Sequence, residues 1–266
     1  MKSKNYLGLA SAVLLLFFAA SAIFAPRLAR YSPYKQNLNE KLLPPSPAHL
    51  LGTDEYGRDV CSRLIYAGRI SLSVAAVAVG ISTVIGTVLG LAAGFFRGWV
   101  DSFIVKVIDI FLCIPTFFLI LMVVAFWSPS VKNIMIVIGA TGWPSLARLV
   151  RAEVMSVSAR NYIQAVKVLG FSKLRIMFVH ILPNVLAPIF VASVLGLGGA
   201  ILVESGLSFL GLGVQPPLAS WGNMLSSGRT YLGIAWWLSF WPGLAIFLTV
   251  LSFNLAGETL KERVTI

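Results

Sequence analysis

ISLSVAAVAVGISTVIGTVLGLAAGFF, residues Ile70–Phe96, holds no charged side chain. A helix needs ~20 mostly apolar residues to cross ~30 Å of hydrocarbon, so this run predicts a membrane span. Within it, Gly86, Gly90 and Gly94 recur every fourth residue. That spacing puts all three on one helix face, where missing side chains let a second helix come close. These glycines are therefore expected to serve helix packing.

The rest of the chain repeats the signal. Apolar runs predict spans at about 7–25, 70–94, 103–127, 131–150, 181–203 and 236–257. Six spans place both termini on one side of the membrane. Between the spans, 26–69 reads as a long extracytoplasmic loop and 151–180 as a cytoplasmic one. Residues 205–228 are uncharged but rich in glycine and proline, so 204–230 reads as an outer re-entrant loop. Lys2 and Lys4 before the first run resemble a signal peptide, but the run exceeds the usual ~7–15 apolar residues. An uncleaved first helix is expected.

Composition agrees. The chain has 266 residues, 58% hydrophobic and only 12% charged, and its mean hydropathy is +0.86. Soluble domains carry about 25% charged residues, so disorder, a coiled coil and an ordinary cytosolic enzyme are excluded. The net charge is +11. The densest basic block is Arg148, Arg151, Arg160, Lys167, Lys173 and Arg175 against the single acid Glu153. By the positive-inside rule that block and the Lys-bearing N-terminus mark the cytoplasm. The cations fall on both sides of the membrane, which argues against nucleic acid as a partner and for lipid headgroups.

No catalytic constellation is present. The chain lacks G-x-x-x-x-G-K-[ST], G-x-S-x-G and H-E-x-x-H, so no ATP site, hydrolase nucleophile or zinc site is expected in it. Cys61 and Cys113 predict no disulfide, and His49 and His180 no metal site. A secondary carrier would show coupling-ion sites or paired repeats, and neither is visible. Asp109 lies one turn after Lys106, which predicts a local i,i+3 ion pair. Glu204 is expected either to line a translocation path or outer gate, with Ser208 and Phe209, or to cap a loop.

The cytoplasmic segment carries the sharper pattern. Tyr162, Ile163, Val166 and Leu169 recur at helical spacing, and Gly170 then stops the helix. A second helix follows through Leu182 and Pro183. A short amphipathic helix so placed can lie on lipid or sit in a groove of a partner protein.

This segment resembles the EAA loop of bacterial ABC importer permeases, E-A-A-x3-G-x9-I-x-L-P. Gln164, Ala165, Gly170, Leu182 and Pro183 fall on it. Gln164 replaces the first Glu, Val166 the third residue, and His180 the Ile. Leu51 through Asp59, with Ser62 and Arg63, is similar to the G-T-D-x-x-G-R-D-x-x-S-R block of peptide and nickel permeases. Glu204 through Pro217, with Ser220, Trp221 and Gly222, resembles the late outer loop of the same family. The likeness is closest to the second permease subunit of dipeptide/oligopeptide importers. It implies an all-α type I importer (MetI-like) fold of six spans in the bacterial inner membrane. It also implies a homologous second permease as heterodimer partner, two ATPase subunits that hold ATP and Mg, and an extracytoplasmic binding protein. Tyr162, Gln164, Ala165, Val166, Leu169, Gly170, Leu182 and Pro183 would then form the coupling helix and turn that dock on an ATPase. Peptide is the expected substrate, with nickel or a metal chelate as the alternative.

Overall fold

A computed structural model describes residues 2–127 and 130–264. The helices are α1 (Lys2–Ile23), α2 (Ala25–Leu28), α3 (Val60–Phe96), α4 (Gly98–Cys113), α5 (Thr116–Phe126), α6 (Val131–Ser158), α7 (Asn161–Val168), α8 (Lys173–Arg175), α9 (Leu182–Phe209), α10 (Trp221–Arg229) and α11 (Trp237–Val264). Five segments are long and apolar enough to cross a membrane, and a sixth forms if α4 and α5 make one bent span. Among the described residues the only β pairing is an isolated bridge between Thr53 and Asp59.

Several boundaries differ from the sequence reading. The second span starts ten residues earlier, at Val60, because Asp59 caps it. The Asp59 carboxylate accepts from the Ser62 N–H at 2.7 Å, as N-cap aspartates do. At 1.5 Å per residue α3 is about 55 Å long, longer than any hydrocarbon layer. Such a helix can extend past the lipid at one end or both. The third span is not straight. Ile114 is extended (φ −99°, ψ 126°) before Pro115, since proline disfavours helix in the preceding residue. α4 and α5 meet there at a bend of 83°.

The fourth span runs eight residues past 150, to Ser158, and α11 runs on to Val264. α9 continues through Glu204 and Ser208 to Phe209, so residues 204–209 are helical. The non-helical stretch is 210–220, with a cis Pro216–Pro217 bond, and residues 221–229 are helical.

α3 against α6 is the closest helix pair. A Cβ on Gly90 would lie 2.5 Å from the Ala147 carbonyl oxygen, and one on Gly94 2.8 Å from that of Arg151. Gly86 meets Trp143 O and Leu146 at 3.0 Å. From the other side Gly139 meets Ala78 O at 2.9 Å. Lipid tails supply no hydrophobic drive between spans, so such backbone-close packing supplies the cohesion. Around this seam lie Val74, Ala75 and Ala78 of α3, Ile134 and Val137 of α6, and Ile201 and Leu207 of α9, all buried. α1 lies against α11, with Gly8 facing Thr259.

The seam makes a prediction. Gly90→Ala must push α6 away and is expected to cost about 1–3 kcal/mol. Gly80→Ala on the same helix meets nothing within 4 Å and is expected to be neutral or slightly stabilising. Thermal unfolding of the two variants in detergent checks the contrast.

Candidate functional site

Two regions gather the polar and unusual residues, one at each end of the bundle. At the first, α6 ends at Ser158 and α7 turns away from it. Ile163 is completely buried among Val150, Val154 and Val157 of α6 and Ile176, Met177 and Ile181 further on. Val166 and Phe171 pack partly against the same cluster. The Gln164 side-chain amide donates to the Ser158 carbonyl at 2.8 Å. It thereby satisfies one of the orphan carbonyls at the end of α6 and ties α7 to it. Gly170 has φ +76°, and no atom lies near the place its Cβ would take. Glycine is required there by backbone conformation, not by space.

Past the turn, Ser172 caps α8, and residues 176–181 widen into a π-helical turn. Pro183 follows in the first turn of α9. It has no N–H, and its ring would press on the carbonyl four residues back. The wide turn relieves that contact, and Asn184 Nδ2 donates to His180 O at 2.7 Å.

The apolar residues of α7 therefore do not share one face. Ile163 points inward, while Tyr162 and Leu169 are exposed at 41% and 73%. Ala165 is also exposed. Within α7 and its turn the most exposed apolar residue is Val168, at 88%, and Leu174 past the turn is uncovered too. Sequence spacing singled out neither, because both fall outside the i, i+3, i+4 pattern. Arg160, Lys167, Lys173 and Arg175 are exposed around this apolar tip, and the Arg175 guanidinium lies 4.6 Å from the centre of the Phe171 ring. The arrangement is an uncovered hydrophobic knob rimmed by cations and fixed to the core from beneath.

On the flank of the bundle, Asp109 pairs with Arg148 of α6, not with Lys106 as its spacing predicts. Arg151 donates to Asp101 Oδ2 at 2.6 Å, so two ion pairs fasten α4 to α6.

At the second end, Glu204 is wholly buried. It accepts from Ser71 Oγ of α3 at 3.1 Å and from Ser208 Oγ at 2.7 Å. Ser71 Oγ also accepts from the Trp221 N–H (3.2 Å), and Ser208 Oγ from the Val214 N–H (3.1 Å). One carboxylate thus clamps α3, α9 and the 210–221 segment together. Glu204 faces no open space in this conformation. Ser208 lines a cleft above it, and Phe209 lies beneath the Arg229 guanidinium at 4.9 Å.

The 52–63 block packs next to this clamp. Asp54 Oδ1 accepts from the N–H groups of Tyr56 and Arg58, each at 2.9 Å. Trp237 Nε1 donates to Thr53 O at 3.2 Å, joining the block to α11. His49 Nδ1 lies 2.9 Å from Asp59 Oδ1.

A spanning bundle with an uncovered knob at one end and a clamp at the other describes a multi-pass membrane protein. The chain belongs to the family of binding-protein-dependent transport system inner membrane components, whose pattern matches residues 86–265. The pattern of the N-terminal TM domain of oligopeptide transport permease C matches residues 3–45. The chain is 42% identical to the dipeptide transport system permease protein DppC of Alkalihalophilus pseudofirmus, over 97% of this chain and 85% of that protein. It is 45% identical to DppC of Escherichia coli, over 96% and 86% respectively. To the di/tripeptide transport system permease protein DppC of Pseudomonas aeruginosa it is 42% identical, over 98% and 87%. It is thus a permease subunit of an ABC importer, a class of transporter that works with ATPase and substrate-binding partners.

Two stability effects follow from the geometry. Ile163→Ala removes a fully buried side chain and is expected to cost about 2–5 kcal/mol, whereas Val168→Ala is expected to change stability by less than about 0.5 kcal/mol. Hydrogen exchange across 150–181 separates them. Glu204→Leu strands the Ser71 and Ser208 hydroxyls at about 1–3 kcal/mol each, and Glu204→Gln keeps an acceptor. Melting temperatures are expected to fall more for Leu than for Gln.

Proposed function

We propose that the chain forms one half of the pathway of a di- or oligopeptide importer, paired with a homologous second permease. In this reading both termini and the 159–175 turn are cytoplasmic, in agreement with the cation-dense Arg148–Arg175 segment and the positive-inside rule. The observation that carries the proposal is the exposed Val168–Leu169 tip beside Gly170, rooted in the core by Ile163. An apolar knob of this kind on a helix end is suited to a hydrophobic groove. Two ATPase subunits, which hold ATP and Mg, would supply that groove. A binding protein would deliver substrate to the opposite, extracytoplasmic end.

The physical route from ATP to the spans is then short. Closure of the ATPases displaces α7. The Gln164–Ser158 bond and the Ile163 anchor pass that displacement to α6. Backbone-close packing passes it from α6 to α3, and the bundle shifts between outward and inward access as a two-state element. Peptide is favoured over nickel because the relatives above are named for dipeptides or di/tripeptides.

The test uses cells that carry the complete importer. The Val168→Glu, Leu169→Glu double variant is expected to reach the membrane at normal levels. It should lose ATPase co-purification and labelled dipeptide uptake by at least about tenfold, since each buried apolar side chain is worth about 1.5–3 kcal/mol. Gly170→Pro should do the same, because proline cannot take a positive φ. Normal co-purification and uptake by both variants would refute the docking role.

A further inference from the structure

A helix face turned to lipid exposes apolar side chains, because an ionisable group inside the bilayer is costly. α3 and α9 present such faces, with Val77, Val84 and Val88 exposed on one and Leu186, Phe190 and Leu202 on the other. α4 and α6 differ. On α4, Ser102, Lys106 and Asp109 are exposed at i, i+4 and i+7, and on α6 Ser145, Arg148, Ala152 and Ser156 at i, i+3, i+7 and i+11. Each set lies along one side of its helix. Phe103 and Ile110, also exposed, flank the α4 set. The two sides meet where Arg148 Nη2 donates to Asp109 Oδ1 at 2.5 Å.

Both partners of that bond stand deep. At 1.5 Å per residue, Arg148 is about 15 Å from the Ser158 end of α6 and about 25 Å from its Val131 end. Asp109 is about 16 Å past the start of α4. A long cationic side chain can stretch toward the headgroups, but this guanidinium is held beside a short aspartate. The Arg148 and Asp109 side chains are nevertheless 56% and 54% exposed. The Arg151–Asp101 pair, nearer the helix ends, is better covered, at 28% and 17%. Surrounding lipid would favour the reverse order, with the deeper pair the more enclosed. Ionisable groups within a membrane face a bundle interior or a water-filled cavity. A dry protein face laid over Lys106, Asp109 and Arg148 would desolvate three charges, two of them positive.

We propose that the α4–α6 face marked by Lys106, Asp109, Ser145 and Arg148 lines the water-filled path by which a short peptide leaves toward the Ser158 end of the bundle. The existence of a path and its solute rest on the importer reading above, and the exposed ion pair assigns the wet side of this subunit. Both signs of charge and a hydroxyl stand along that side. They make a polar lining for a solute that carries an ammonium and a carboxylate. The ion pair also ties α4 to α6, so a shift of α6 alters the lining directly.

The test uses the complete importer in inside-out membrane vesicles, with Cys61→Ser and Cys113→Ser as the background. Ser145→Cys, Lys106→Cys and, on the apolar side of α3, Val84→Cys are each treated with a charged methanethiosulfonate in the water and with a lipid-soluble maleimide. The thiolate is the reacting form and needs a polar surrounding, so Ser145→Cys and Lys106→Cys are expected to react with the charged reagent at least about tenfold faster than Val84→Cys. If the background does not assemble, Cys113 of the unaltered chain serves, since it is exposed one turn past Asp109 on the same side of α4. Mass spectrometry is expected to find it modified by the charged reagent. Slow reaction with that reagent at either Ser145→Cys or Lys106→Cys overturns the proposal. It does so whether the maleimide then labels the site from lipid or the second permease shields it from both reagents. An unmodified Cys113 overturns it in the unaltered chain. Dipeptide uptake by cells carrying the same importers, read in parallel, separates the two readings. Uptake with a shielded face sinks the wet face alone, and a wet face without uptake by the unaltered importer sinks the importer reading alone.

Discussion

Helices reach backbone contact only where side chains are missing, and α3 meets α6 in that way along Gly86, Gly90, Gly94 and Gly139. In a membrane this contact does what a hydrophobic core does in water, because lipid is no worse a neighbour for leucine than another leucine is. The consequences run outward from the seam. It fixes α6, and the last turns of α6 carry Val150, Val154 and Val157, on which Ile163 is seated. The place of α7, and with it the exposed tip at Val168 and Leu169, is thereby set by glycines well inside the bundle. The Asp101–Arg151 and Asp109–Arg148 pairs hold α4 to the same helix.

The two ends of the bundle solve opposite problems. Where the 52–63 block meets α10 and α11, polar groups are buried and largely matched, and Glu204 joins three elements through two serines. At the 159–175 turn, apolar side chains are left uncovered and exposed cations stand around them. Contiguous exposed apolar surface on a folded protein marks an interaction site, and a buried, hydrogen-bonded carboxylate marks a rigid joint. A transporter that must be pushed at one end while it holds its shape at the other has use for both.

Much of this was legible in the sequence where the signal is local. Apolar run length predicts the spans, a four-residue glycine period predicts a packed face, and Gly170 after a helical pattern predicts a turn. The misreadings come from long-range partners. Arg63 and Arg69 precede the uncharged run in the sequence, but the helix itself runs through them from the Asp59 cap. Glycines at 206, 211 and 213 suggest a loop from 204. Yet Glu204 finds Ser71, 133 residues away, and the helix persists to Phe209. Asp109 takes Arg148, 39 residues on, over the lysine one turn before it. In α7 an eight-residue helix is too short for periodicity to tell the buried side from the exposed one. Spacing therefore groups Ile163 with Tyr162 and Leu169 and misses Val168.

The 159–175 turn is the proposed place where the ATPases push. Amide hydrogen exchange of the assembled importer against the permease subunits alone measures this directly. Slower exchange confined to residues 161–175 when the ATPases are present is the predicted result. Unchanged exchange there, with protection appearing at the Glu204 end instead, would contradict it.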